Sequence, residues 1–478
     1  MLHLPLVRLC WLSLVAATAC DPGSPSKPAS DDTAGWLGSG GTTGIPEKPT
    51  WDTHAALGGG DGNLSVAHLP APVQPWQPST ACLSKVAERL ALMSWPEKFG
   101  QMVQGDSRST TPDDVVKYNL GSVLSGGGSD PATDDALAWA NLVSRFTQAG
   151  QALSAPILYG IDAVHGHNNV SDAVIFPHNI GLGCTRDAEL VEAIGQATAS
   201  EMRGTGMHWA FAPVVAAGRD ERWGRTYETF SESPELAATL GVAAIRGLQG
   251  AALSNDPTHV LACAKHFAGD GSTDRGIDQG NVSLSEPDFR RLAVEQYQPA
   301  INAGVGSIMV SYSSYQGLKM SAQGYWLTDV LKGEMGFQGF LVSDWQALQQ
   351  LPPAAAIGSA NPPPSEGAVV TAINAGLDMI MEPTAFPAVI ASLASAHAAG
   401  KISDARIDDA VSRILTVKCE MGLLDEGYLP NIDPTLTAGI GSSEHMELAR
   451  RAVRESLVLL KNDGSVLPLR PDARVLVV

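Results

Sequence analysis

The sequence predicts an α/β protein whose body is a closed (β/α)8 barrel of the TIM type, and three observations predict it. First, apolar strand-like runs recur with tens of residues between them, room for a crossover helix and a loop each time. Second, the intervals carry amphipathic stripes: Phe289, Leu292, Tyr297, Ala300 and Ile301 roughly follow a helical period, and Ile407, Ala410, Val411, Ile414 and Leu415 follow it closely. Third, several runs end in polar residues on what would be one side: Asp162, then Lys265 and His266, then Tyr312, then Asp344. Many strands sending polar groups to their C-terminal ends is the signature of a barrel with its site at that face. A phosphate-binding open sheet calls instead for a glycine-rich turn after an early strand, and the nearest candidate, Gly126-Gly-Gly-Ser129, has the wrong spacing.

In chain order, residues 1–20 carry a basic residue early, an apolar run and then small residues. That is an export signal rather than a membrane span, which needs about 20 apolar residues. Ala17-Thr-Ala-Cys20 resembles a bacterial lipoprotein cleavage box, so Cys20 is the expected lipidation site; the alternative is an ordinary signal peptide with Cys20 incidental. Residues 21–80, rich in Pro, Ser, Gly, Thr and Asp at first, read as a flexible tether and an ill-defined lead-in. The folded domain is expected over 81–440. Ser94-Trp-Pro-Glu97 is a helix start with a capping box. The strand-like runs are Gly121-Ser-Val-Leu124, Pro156-Ile-Leu-Tyr-Gly160, His208-Trp-Ala-Phe-Ala-Pro213, Val260-Leu-Ala-Cys-Ala264, Ser307-Ile-Met-Val-Ser311, Phe340-Leu-Val-Ser343 and Met379-Ile-Met381. A helix near 446–460 and a linker occupy 441–470, and the apolar stretch 471–478 is read as the first strand of a truncated second domain, or as an added edge strand.

Composition narrows the function. The 478 residues hold 31 Lys plus Arg against 50 Asp plus Glu, a net charge of −19. So acidic a chain argues against nucleic acid and against a basic membrane-binding patch, leaving the lipid on Cys20 as the expected membrane contact. Beyond Cys10 and Cys20, the cysteines at 82, 184, 263 and 419 are scattered without CxxC pairing, so no zinc site is suggested. Two disulfides are open to an exported protein, although Cys263 lies in an apolar strand and reads as a buried thiol.

The chemistry gathers at the ends of the strand-like runs. Phe340-Leu-Val-Ser-Asp-Trp345 delivers a carboxylate and an indole at a strand end, making Asp344 the candidate nucleophile; a helix cap is the plainer reading of such an Asp taken alone. Tyr159-Gly-Ile-Asp162 places a carboxylate suited to sugar hydroxyls, and the nearby His165 and His167 lack a third metal ligand at recognisable spacing. Arg219, Arg222 and Arg225 share a loop with acidic neighbours, where salt bridging is the default and one arginine is free to face a pocket. Lys265 and His266 end an apolar strand, where an unpartnered ammonium would cost several kcal/mol.

Five motifs in order, Gly160-Ile-Asp-Ala-Val-His-Gly166, Arg222-Trp-Gly-Arg225, Lys265-His-Phe-Ala-Gly-Asp-Gly271, Ser311-Tyr-Ser-Ser314 and Val342-Ser-Asp-Trp345, resemble family 3 glycoside hydrolases, the β-glucosidase and exo-glucanase branch, over roughly residues 82–478. The resemblance implies a barrel followed by an α/β sandwich domain with the site between them. It implies exo-acting, retaining hydrolysis of terminal β-D-glucosyl units from β-linked gluco-oligosaccharides, with no cofactor. Asp344 would be the nucleophile; Asp162, Arg225, Lys265, His266 and Tyr312 would line the terminal glucosyl subsite; Trp345 would stack on the next sugar. The acid/base glutamate would come from the second domain, and Glu382 is an available carboxylate whose setting matches no such role. A β-N-acetylhexosaminidase of the same family would carry a histidine in the loop 270–279, which has none. A sugar-binding lipoprotein without catalysis is the remaining alternative.

Overall fold

The computed structural model describes residues 75–126, 131, 134–352 and 362–476. The signal peptide, Cys20 and the tether as far as residue 74 lie outside the described residues. No described helix is long and apolar enough to cross a membrane.

Among the described residues, eight parallel strands make the body: β1 (Val103–Asp106), β2 (Ser122–Ser125), β3 (Leu158–Ile161), β4 (Trp209–Ala210), β5 (Cys263–Phe267), β6 (Ser307–Val310), β7 (Phe340–Ser343) and β8 (Ile380–Met381). One ladder runs β8, β1, β2, β3, β4 and another β7, β6, β5. Parallel bridges Trp209 to Leu261 and Val342 to Met379 join the two ladders at both ends, so the ring closes in chain order as a barrel. The seven expected runs all supply a strand. The eighth, β1, reads Val-Gln-Gly-Asp and carries too little apolar pattern to be seen.

Side-chain alternation explains both cores. Leu158, Trp209, Phe211, Leu261, Cys263, Met309, Phe340, Val342, Met379 and Met381 cluster inside the ring. Their neighbours Tyr159, Ala210, Ala262, Ile308 and Leu341 belong to the larger cluster under the helices. Period-2 geometry requires this sorting. Gly160 is the inward exception, because a Cβ there would come within 2.5 Å of the Phe211 ring.

The helices follow their patterns. Trp95–Gln101 begins with the full Ser94/Glu97 capping box. Ile407, Ala410, Val411, Ile414 and Leu415 are buried along Asp404–Glu420. The looser stripe from Phe289 to Ile301 is buried too, and a π-helical stretch at Arg290–Val294 accounts for its uneven spacing by adding a residue to the turn. Among the described cysteines one disulfide, Cys82–Cys419, ties Thr80–Leu92 to Asp404–Glu420, while Cys263 is a buried thiol and Cys184 an exposed one, so one bridge forms where two were open.

The helix Ser443–Ser456 packs Ala452 against Leu190, Val191 and Ile194, and its His445 Nδ1 lies 2.8 Å from the buried Glu201 carboxylate. After it the chain leaves regular structure: Leu457, Leu459, Leu460 and Leu476 are exposed. The strand expected over 471–478 is not formed across its described residues 471–476, because an isolated strand has no ladder to satisfy it and none is offered here.

Candidate active site

Alternation along three strands aims three functional side chains into the barrel mouth. In β7 Phe340 and Val342 point inward, so the next residue of that parity is Asp344; Cys263 does the same for Lys265, and Leu158 and Gly160 for Asp162. These residues meet in a cavity of about 330 Å³ lined also by Arg225, His266, Trp345, Leu124, Gly126, Phe211, Met309 and Met381.

Lys265 Nζ donates to Asp162 Oδ1 at 2.7 Å, which supplies the partner its buried ammonium requires. Asp344 accepts the Trp345 N–H on Oδ1 at 2.6 Å, and its Oδ2 lies 3.7 Å from His266 Nε2. Burial pushes the Asp344 carboxyl above its ordinary value; His266, the Trp345 N–H, Arg225 and Lys265 pull against that. His266 is set on its other side by Asp270, whose Oδ2 is 2.7 Å from Nδ1. Burial alone would raise Asp270, but His266, Arg225 and the Ser311 hydroxyl outweigh it and hold it at about 2. Ser311 and Ser313 both donate to Asp270 Oδ1, at 2.6 and 3.0 Å.

Of the three loop arginines, Arg222 pairs with Asp220 at the surface and Arg225 turns to the cavity. Arg225 forks onto Glu228 through Nε at 2.7 Å and Nη2 at 2.9 Å, and Nη2 also lies 3.2 Å from His266 Nε2. Tyr312 donates its hydroxyl to the Trp345 carbonyl, and burial followed by the nearby Asp344 charge raises the phenol. Every expected site residue except Tyr312 therefore lines the cavity, and Tyr312 reaches it through Trp345. Glu228 and Asp270 were not singled out in the sequence; the spacing of three after Arg225 and of four after His266 was the available signal. Glu382 is buried away from the cavity, accepting from Gln349 Nε2 at 2.8 Å and the Ala385 N–H at 3.1 Å. His165 stacks on His178, and His167 is buried against Thr205, so the two histidines share no ligand position.

The model of the glycosyl hydrolase family 3 N-terminal domain matches residues 95–417. The chain belongs to glycosyl hydrolase family 3. Within that family it is 34% identical over 412 residues to a lysosomal beta glucosidase of Dictyostelium discoideum, covering 80% of this chain and 49% of the relative. It is 32% identical over 329 residues to a periplasmic beta-glucosidase of Salmonella typhimurium, covering 68% and 41%. The crystal structure of an exo-1,3/1,4-beta-glucanase from a Pseudoalteromonas species superposes with a TM-score of 0.76 at 38% identity, over 83% of this chain and 50% of that one. The chain thus spans about half the length of these family 3 relatives.

Proposed function

We propose that this barrel is the nucleophile-bearing part of an exo-acting, retaining β-glucosidase that removes terminal β-D-glucosyl units from β-glucans or cello- and laminari-oligosaccharides. The observation that carries the reading is Asp344, aimed inward from β7 into a small cavity beside Lys265, His266 and Arg225. At about 330 Å³ the cavity sits at the small end of ligand sites, which run from about 300 to 1,000 Å³, and so suits one terminal sugar rather than a chain. Trp345 N–H holds Oδ1, leaving Oδ2 to attack the anomeric carbon and form a glycosyl ester. Asp162 and the Lys265 ammonium are placed for ring hydroxyls, Arg225 and His266 for the charge near Asp344.

Retention needs a second carboxyl group about 5–5.5 Å away to protonate the leaving oxygen. Asp162, paired with Lys265, is ill-suited to donate a proton, and Glu382 faces elsewhere. We assign the acid/base role to a glutamate of a second domain, as the family resemblance implies. Export, with Cys20 lipidated, completes the proposal; the Cys82–Cys419 disulfide suits an oxidising compartment.

An aryl β-glucoside with a strongly acidic phenol leaves without acid assistance. Proton NMR of the sugar first released by the 478-residue chain is expected to show the β-anomer. The α-anomer as first product would refute double displacement.

A further inference from the structure

The loops after β5, β6 and β7 are stitched into a closed ring at the cavity mouth. Gln350 Nε2 donates to Gln279 Oε1 at 2.8 Å, joining the β7 loop to the β5 loop. Lys319 Nζ donates to the carbonyl of Gln279 at 3.1 Å and to that of Tyr312 at 2.9 Å, joining the β5 loop to the β6 loop. The Tyr312 hydroxyl donates to the Trp345 carbonyl, which returns the ring to the β7 loop. Lys319 is the node, and its chemistry is unusual. Half-buried, it has no carboxylate within ion-pairing distance among the described residues; it faces two backbone carbonyls instead, and burial draws the ammonium below its ordinary value. Holding a charge on neutral acceptors costs free energy that a methionine at 319 would avoid. What the ring secures is Trp345, whose indole leans toward Gly126, where a Cβ would lie 3.3 Å from its Cζ3.

We propose that Lys319, with the Gln279–Gln350 amide pair, is a positioning residue that fixes Trp345 at the cavity mouth and so sets the preference for a second sugar unit. Lys319 does not line the cavity and touches no group assigned to the terminal sugar except the Tyr312 carbonyl. Its effect is therefore confined to the sugar beyond the first, whose apolar face would lie on the indole. The inference rests on the β-glucoside reading above.

Calorimetric titration of the full chain with glucose, laminaribiose and cellobiose tests it. In wild type, one disaccharide is expected to bind more tightly than glucose. Lys319→Met and, independently, Gln350→Ala are expected to weaken that disaccharide about tenfold, the scale of one aromatic contact, with glucose unchanged. Lys319→Arg, which can still donate to two carbonyls, is expected to restore most of the difference. Equal weakening of glucose and disaccharide, no weakening of either, or a wild type that binds disaccharides no better than glucose would overturn the positioning role alone. A wild type that binds none of the three sugars would overturn the β-glucoside reading, and this role with it.

Discussion

At Asp344 burial and charge oppose each other. Burial raises the carboxyl, and His266, the Trp345 N–H, Arg225 and Lys265 recover only part of that. The folded state therefore holds this proton to higher pH than the unfolded chain, whose aspartates titrate near about 3.9. A raised folded value contributes stability that is complete below about pH 3.9 and is lost as pH rises through the folded value. Asp344→Asn, which removes the titration, is expected to melt at higher temperature than wild type at pH 7, with the gap closing as pH falls below about 4. Thermal scans across that range check it, and a gap independent of pH would contradict the assignment of the cost to the buried charge. The residues that were legible in the sequence are those at strand ends, where a polar side chain interrupts an apolar run: Asp162, Lys265, His266 and Asp344. Glu228 and Asp270 were hidden because each acts through a partner, Arg225 or His266, and such contacts are made by folding rather than by pattern.

At the level of elements, seven of the strands were legible because their inward and outward residues are both apolar in a barrel buried on two sides. β1 escaped because Gln104 is polar yet buried, its amide donating to Ser122 Oγ at 2.7 Å inside the ring. The pairing of Cys82 with Cys419 escaped as well, since 337 residues separate them and only closure of the barrel brings the first and the Asp404–Glu420 helices together. That bridge spans nearly the whole folded body. Replacing both cysteines by serine is expected to lower the unfolding free energy by about 2–5 kcal/mol, measured by denaturant titration with the site otherwise intact. An unchanged midpoint would mean that helix packing alone holds the two ends.

Taken whole, the molecule is an acidic barrel that gathers one carboxylate, one ion pair and one arginine–histidine contact at the C-terminal ends of its strands, as barrels do when loops vary on a fixed frame. The fold class was legible from strand recurrence, and the family from five motifs in order. The expected strand at 471–478 was read from hydrophobicity alone, which marks a segment able to pair without supplying its partner. The central claim, that Asp344 is the nucleophile, is tested most directly by trapping. The chain is incubated with a 2-deoxy-2-fluoro-β-glucosyl donor bearing a dinitrophenolate leaving group, digested, and the labelled peptide sequenced by mass spectrometry. The expected result is a single fluoroglucosyl ester on Asp344, absent from Asp344→Asn. A label on another residue, or an unlabelled chain that nonetheless turns over the aryl glucoside, would contradict it.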